Sequence, residues 1–138
     1  MELKIEKDVL ASVVDKLLKF AKGNIKDDGV MIPTVFYSAD GKETAILCHS
    51  PRDMHRVIEL VRKSQVDWFA VATTGWMSDM EKVDPREAPD RKRMLVIEAR
   101  MGKETCTRAY EVVKNHDRFT CRPSDISPEE KVKGYLPV

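Results

Sequence analysis

The stretch Val66-Asp67-Trp68-Phe69-Ala70-Val71-Ala72 is the most apolar part of the chain, and it decides how the rest is arranged. No polar residue interrupts the run from Trp68 to Ala72, whereas a strand with one face in water alternates apolar and polar residues. The stretch therefore predicts a strand that is buried on both faces, at the centre of a sheet. It is only of strand length, and the chain has no run of about 18 apolar residues such as a transmembrane helix needs, so no membrane partner is expected.

An amphipathic helix is predicted over residues 7–22. Apolar side chains recur there at the spacing of one helix face, for example Leu10, Val13 and Leu17, and lysines occupy much of the remaining surface. Gly23 follows at once, and glycine readily adopts the left-handed conformation that ends many helices.

A β-hairpin and a second helix are predicted between this helix and the central strand. Residues 30–37 and 43–49 are rich in strand-forming types, and residues 39–41, Ala-Asp-Gly, supply the turn between them. Residues 50–53, Ser-Pro-Arg-Asp, then place a hydroxyl at the N-cap and proline at the first helical position. An apolar stripe continues this helix to about Lys63, so it forms a crossover from the hairpin to the central strand.

Further strands are predicted downstream. Residues 93–100 and 104–113 flank the turn Met101-Gly102-Lys103, a short strand follows at 118–122, and a brief helix begins at Ser127. The predicted order is α-β-β-α-β-loop-β-β-(β)-α. This order indicates an α+β fold with a mostly antiparallel five- or six-stranded sheet.

Composition sets the class of protein and excludes several partners. A length of 138 residues is typical of a single domain. A composition of 42% hydrophobic and 34% charged residues is typical of a folded globular protein. The net charge of +1 draws the chain to neither nucleic acid nor anionic lipid, so a nucleic-acid partner is not expected. Three cysteines without a CxxC spacing, and an N-terminus that does not resemble a secretory signal, predict a cytoplasmic protein.

The segment 75–92 is the unusual part of the sequence. It has two prolines and no clear period over 18 residues, and loops longer than about 12–15 residues inside compact domains are usually functional or mobile. Apolar and charged side chains in and next to this loop are the candidate binding residues: Trp76, Met80, Arg86, Asp90, Arg91 and Arg93. In the alternative, Trp76 and Met77 fold back onto the core, and the acidic residues pair with the arginines to order the loop.

Part of this region resembles an uncharacterised phage and bacterial family. The resemblance covers residues 66–76, the triplet Pro89-Asp90-Arg91 and the strand 94–97. That family carries Glu-Ala-Trp where this chain has Thr74-Gly75-Trp76, so a role of the acidic residue does not transfer. The resemblance implies a sheet followed by a long loop and a phage or mobile-element origin, and it implies no activity.

No metal site and no cofactor are predicted. Cys48, His49 and His55 are of types that bind zinc, but on a strand Cys48 and His49 point to opposite faces. His116-Asp117 could orient a base, yet no nucleophile is placed near it by the sequence.

These observations favour a small, soluble, non-enzymatic binding or regulatory domain. A protein partner or self-association is the expected interaction, through the sheet or a helix, with the 75–92 loop as the contact. The alternative is a small hydrolase or transferase acting on a phosphorylated metabolite, with Arg86, Arg91 and Arg93 binding the anion and His49 or His116 as the base. The sequence does not identify the partner or the ligand.

Overall fold

The computed structural model describes residues 2–78, 80, 82–124 and 132–133 of the chain. Their secondary-structure elements follow one another in this order: α1 (Glu2–Ile25), β1 (Thr34–Ala39), β2 (Lys42–Leu47), α2 (Pro51–Lys63), β3 (Trp68–Met77), β4 (Lys92–Met101), β5 (Glu104–Asn115), β6 (Arg118–Ser124) and β7 (Val132–Lys133). The start of the brief helix predicted at Ser127 lies outside the described residues.

The strands form one antiparallel sheet in the spatial order β2-β1-β3-β4-β5-β6, and β7 pairs with the end of β3. β1 pairs antiparallel with both β2 and β3, so β2 and β3 run in the same direction with β1 between them. The crossover through α2 therefore passes over β1 instead of joining two neighbouring strands. The predicted α+β fold and the antiparallel sheet are confirmed.

Helix α1 packs across one face of the sheet. Its apolar side, which includes Leu10, Val14 and Leu17, is buried against residues of β3, β4 and β5 such as Leu95 and Ile97. The helix contacts the strands from β3 to β6. This face carries the largest of the three apolar clusters among the described residues, because a helix of 24 residues extends for about 36 Å, which is long enough to cross several strands.

Helix α2 packs on the opposite face, but only over β1 and the neighbouring part of β3. Met54 and Val61 are buried there with Val35 of β1, and Val71 of β3 packs at the margin of the cluster. The helix begins as predicted, because the Ser50 side chain accepts a hydrogen bond of 3.1 Å from the backbone N–H of Asp53.

The loop predicted over residues 75–92 is shorter than expected. β3 continues to Met77 and β4 already begins at Lys92, so the connecting segment is residues 78–91. Gly75 lies opposite Met94 and Trp76 lies opposite Arg93 in the register. Pairing with β4 satisfies the backbone groups of these residues, and this pairing outweighs the low strand propensity of glycine.

Neither α1 nor α2 combines the length and the apolar content that a bilayer-spanning helix requires, as far as the described residues go.

The position of the core predicts that truncation of a buried leucine and truncation of an exposed leucine change the free energy of unfolding by different amounts. Leu95→Ala removes a side chain that is fully buried between α1 and the sheet, and we expect a loss of about 2–5 kcal/mol in the free energy of unfolding. Leu60→Ala removes a side chain that is 61% exposed on α2, and we expect a change within about 0.5 kcal/mol. Urea unfolding followed by circular dichroism measures both, and equal losses would contradict the placement of the core.

Candidate functional site

The connecting segment 78–91 is held by its own charged residues. The Arg86 guanidinium donates from Nη2 to Asp84 Oδ2 at 2.6 Å and from Nε to both carboxylate oxygens, and the Arg86 backbone N–H donates to Oδ1 at 2.9 Å. These hydrogen bonds, the side-chain ones above all, lower the pKa of Asp84 from its ordinary 3.8 to about 2. Asp84 and Arg86 thus form a local clamp at the turn of residues 85–87.

Two of the arginines predicted to bind a ligand contact the ring of Trp76 instead. The guanidinium carbon of Arg91 lies 4.7 Å from the centroid of the Trp76 ring, and that of Arg93 lies 4.6 Å from it. Such cation–π contacts attach the start of β4 to the end of β3. Arg91 Nη1 also donates to the backbone oxygen of Arg86 at 2.8 Å, so the arginine cluster is tied into the segment that precedes it.

Arg93 also reaches the end of α1. Its Nη1 donates to the backbone oxygen of Asp28 at 2.9 Å, next to Gly29, whose own N–H donates to Ile25 in the last turn of the helix. Arg93 of β4 therefore contacts both the segment that follows α1 and the Trp76 ring of β3, and so links the C-terminal end of α1 to the sheet.

The two remaining predicted residues differ in their surroundings. Asp90 accepts a hydrogen bond from the Ser78 hydroxyl, and this contact closes the base of the connecting segment. Met80 is 43% exposed, and its backbone N–H donates to Ser78. The structure thus brings Trp76, Arg91 and Arg93 together, links Arg86 to them through the backbone, and leaves Met80 at the surface.

A second feature, which the sequence reasoning missed, is a groove of about 630 Å³ between α2 and the sheet. We call it the α2 groove. One wall is the polar side of α2, with Ile58 at its boundary with the apolar side; the polar residues recur at helical spacing, and they are Arg52, His55, Arg56, Glu59 and Arg62. The helix presents this side to the groove because its apolar stripe is already used against β1 and β3.

The floor of the α2 groove comes from the two central strands. Val71 and Thr73 of β3 lie opposite Glu98 and Val96 of β4, and all four line the groove. Thr73 and Val96 are buried, so the half-buried Val71 and Glu98 supply most of the accessible surface of the floor. Glu98 accepts two hydrogen bonds from Arg100, which shares its strand, and this ion pair neutralises the carboxylate at the edge of the floor.

The charges that face the α2 groove are unequal. The guanidinium groups of Arg52, Arg56 and Arg62 are exposed, and none of them makes a hydrogen bond or ion pair with the part of the chain that the structure describes. Glu59 is likewise without an ion pair within that part of the chain. With Glu98 paired, three cations stand against one carboxylate, and the groove carries a positive local charge on a chain that is nearly neutral.

The other chemically interesting side chains stay apart from the groove. Burial, with a smaller contribution from Asp53, raises the pKa of the Cys48 thiol, and burial raises the pKa of Cys121. Both thiols are therefore poor nucleophiles at neutral pH. Over the described ranges, no group of three or more histidine, cysteine or acidic residues is placed to hold a metal ion. His116 lies in the exposed turn between β5 and β6.

Comparisons of the chain with protein-family models, with curated proteins and with solved structures found no match. The resemblance to a phage and bacterial family therefore stays a prediction from the sequence.

Arg93 predicts an asymmetry between two glycines of the same backbone conformation. Gly29 and Gly41 have φ of +76° and +77°, but a Cβ at Gly29 would lie 2.8 Å from both Arg93 Nη1 and Phe119 Cδ1, whereas a Cβ at Gly41 meets nothing within 4 Å. Both alanine variants carry the backbone strain, and only Gly29→Ala also displaces Arg93 or Phe119. We expect Gly29→Ala to lose about 1–3 kcal/mol more in the free energy of unfolding. Urea titration measures this difference, and equal losses would contradict the close packing of Arg93 and Phe119 on Gly29.

The clamp between Asp84 and Arg86 predicts a titration. In the wild-type protein the Asp84 carboxyl should titrate near pH 2, and Arg86→Gln should return its midpoint toward the ordinary 3.8, as measured by carbon NMR of the carboxyl group. Because the folded pKa lies below the ordinary value, the pair stabilises the segment above about pH 4, and this stabilisation is lost as the pH falls toward 2. Arg118→Gln is the control, since Arg118 is an exposed arginine of β6, outside the segment. An unchanged midpoint in Arg86→Gln would contradict the clamp.

Proposed function

We propose that the protein is a small non-enzymatic binding domain, and that its ligand is an anionic group held in the α2 groove. The observation that carries the proposal is the set of three guanidinium groups, Arg52, Arg56 and Arg62, without partners in the described chain on one wall of a groove. Guanidinium stays charged at all physiological pH values and binds carboxylates and phosphates in fixed geometries.

The proposed binding site is the α2 groove and not the connecting segment 78–91 that the sequence suggested. Arg86, Arg91 and Arg93, which the sequence suggested as anion ligands, already hold Asp84, a backbone oxygen and the Trp76 ring. An incoming anion would have to compete with these contacts. The arginines of the α2 groove meet no such competitor among the described residues.

The contents of the α2 groove favour binding over catalysis. General acid–base or nucleophilic catalysis needs a base that a second group orients and a nucleophile within reach. His55 is exposed on the wall, and it makes no hydrogen bond or ion pair with the described part of the chain that would orient it as a base. A cytoplasmic location, self-association and a phage or mobile-element origin stay predictions from the sequence.

A phosphate-transferring or phosphate-hydrolysing enzyme is the second candidate. One observation favours it: His55 lies on the same wall as Arg52 and Arg56, so a base and two anion ligands share one side of the groove. The two candidates differ in what happens to a bound phosphate, because an enzyme converts it and a binding domain releases it unchanged.

The proposal predicts binding of sodium tripolyphosphate by the wild-type protein at low salt. We expect the triple variant Arg52→Gln, Arg56→Gln, Arg62→Gln to lose at least tenfold in affinity, measured by isothermal titration calorimetry. Glu59→Gln should bind more tightly than wild type, because it removes the unpaired carboxylate. Added salt should weaken all of these interactions.

A matched control variant loses the same net charge at positions outside the α2 groove. The triple variant Lys103→Gln, Arg108→Gln, Arg118→Gln removes three exposed cations outside the α2 groove and should bind tripolyphosphate as wild type does. Equal losses in the two triple variants would contradict the groove as the site. Phosphate release from tripolyphosphate that His55→Ala abolishes would favour the enzyme over the binding domain.

A further inference from the structure

The geometry points to an acidic peptide segment of a partner protein, with apolar side chains between its carboxylates, as the occupant of the α2 groove. This inference rests on the proposed function and narrows its ligand to one chemical class. Three properties of the groove carry it: the spacing of its cations, the half-buried apolar side chains of its lining and the unpaired carboxylate of Glu59.

The spacing of the cations is that of an extended ligand. Arg52 and Arg62 are ten residues apart on α2, which at 1.5 Å per residue separates them by about 15 Å along the helix axis. A single phosphate or a small metabolite cannot contact both ends. An extended peptide advances about 3.3 Å per residue, so about five residues cover this distance, and carboxylates at alternate positions can meet the arginines.

The floor favours apolar side chains between the acidic ones. Val71 of the floor and Ile58 of the wall are half-buried apolar side chains that line the groove, and the hydroxyl of Thr73 makes a long contact of 3.4 Å to the neighbouring backbone oxygen. In an extended peptide successive side chains point to opposite sides, so a carboxylate aimed at α2 alternates with a side chain aimed at the sheet. A groove of about 630 Å³ has room for a few such side chains.

The same lining disfavours a nucleic-acid strand. Single strands bind where aromatic side chains stack on the bases and a basic groove follows the phosphates. The described lining of the α2 groove has no phenylalanine, tyrosine or tryptophan, and it carries the unpaired carboxylate of Glu59, which repels a phosphate backbone. A peptide can place its few carboxylates next to the arginines and avoid Glu59.

The test uses labelled peptides and the full chain. A seven-residue peptide that alternates glutamate with valine or leucine should bind at least tenfold more tightly than the peptide with the same glutamates and serine at the apolar positions, measured by fluorescence anisotropy. Arg62→Gln should lower the affinity for the first peptide at least threefold and change tripolyphosphate binding less than twofold, because tripolyphosphate is too short to need both ends of the row. Arg62→Lys should retain most of the peptide affinity.

A second variant tests the floor without removing charge. Val71→Thr should lower the preference for the apolar peptide over the serine peptide, because Val71 is the half-buried apolar side chain of the floor, and circular dichroism of each variant verifies that it is folded. Tripolyphosphate binding that depends on the groove, with equal affinity for the two peptides, would overturn the peptide inference and leave the proposed function standing. No binding of either probe would overturn both. Tighter binding of a seven-nucleotide oligothymidine than of the apolar peptide would overturn the inference in favour of nucleic acid.

Discussion

Burial of β3 on both faces is the constraint from which the architecture follows. A strand with alternating faces that are both apolar has to be covered twice, and two helices do so, α1 on one face and α2 on the other. The two coverings differ in extent, since α1 crosses the strands from β3 to β6 while α2 lies over β1 and part of β3. The part of the second face that lies beside α2 becomes the floor of the α2 groove.

The chain uses its arginines in two contrasting ways. Those near the connecting segment make contacts within the protein, for example Arg93, which lies between Trp76 and the end of α1. Those on α2 do not hold any described part of the chain and face a groove. Positive charge alone therefore did not distinguish structural from binding arginines in the sequence, and only the contacts of each guanidinium separate them.

Local signals in the sequence were sufficient for the order of elements from α1 to β6, and β7 was not predicted. The N-cap at Ser50 and the apolar run at Trp68 depend on near neighbours, and both predictions hold. The end of β3 was misplaced because Gly75 and Trp76 become strand through pairing with β4, which lies almost 20 positions further along the chain. The α2 groove was missed for a similar reason: the row of Arg52, Arg56 and Arg62 is visible at helical spacing, but which sheet face adjoins it depends on the order of the strands.

The strand order also separates two blocks of the sheet, β1–β2 and β3–β6, which differ from the seam between them in how they form during folding. From β3 to β6 each strand pairs with its successor in the chain, and β1 pairs with β2 in the same way, so within both blocks the strands that pair are consecutive along the chain. The seam between β1 and β3 is different, because it closes only after the crossover through α2 has brought Val35 next to Val71. Loop closure over such a distance is slower than hairpin formation. We therefore expect docking of the β1–β2 hairpin onto the meander to limit the folding rate, with the α2 groove completed at that late step.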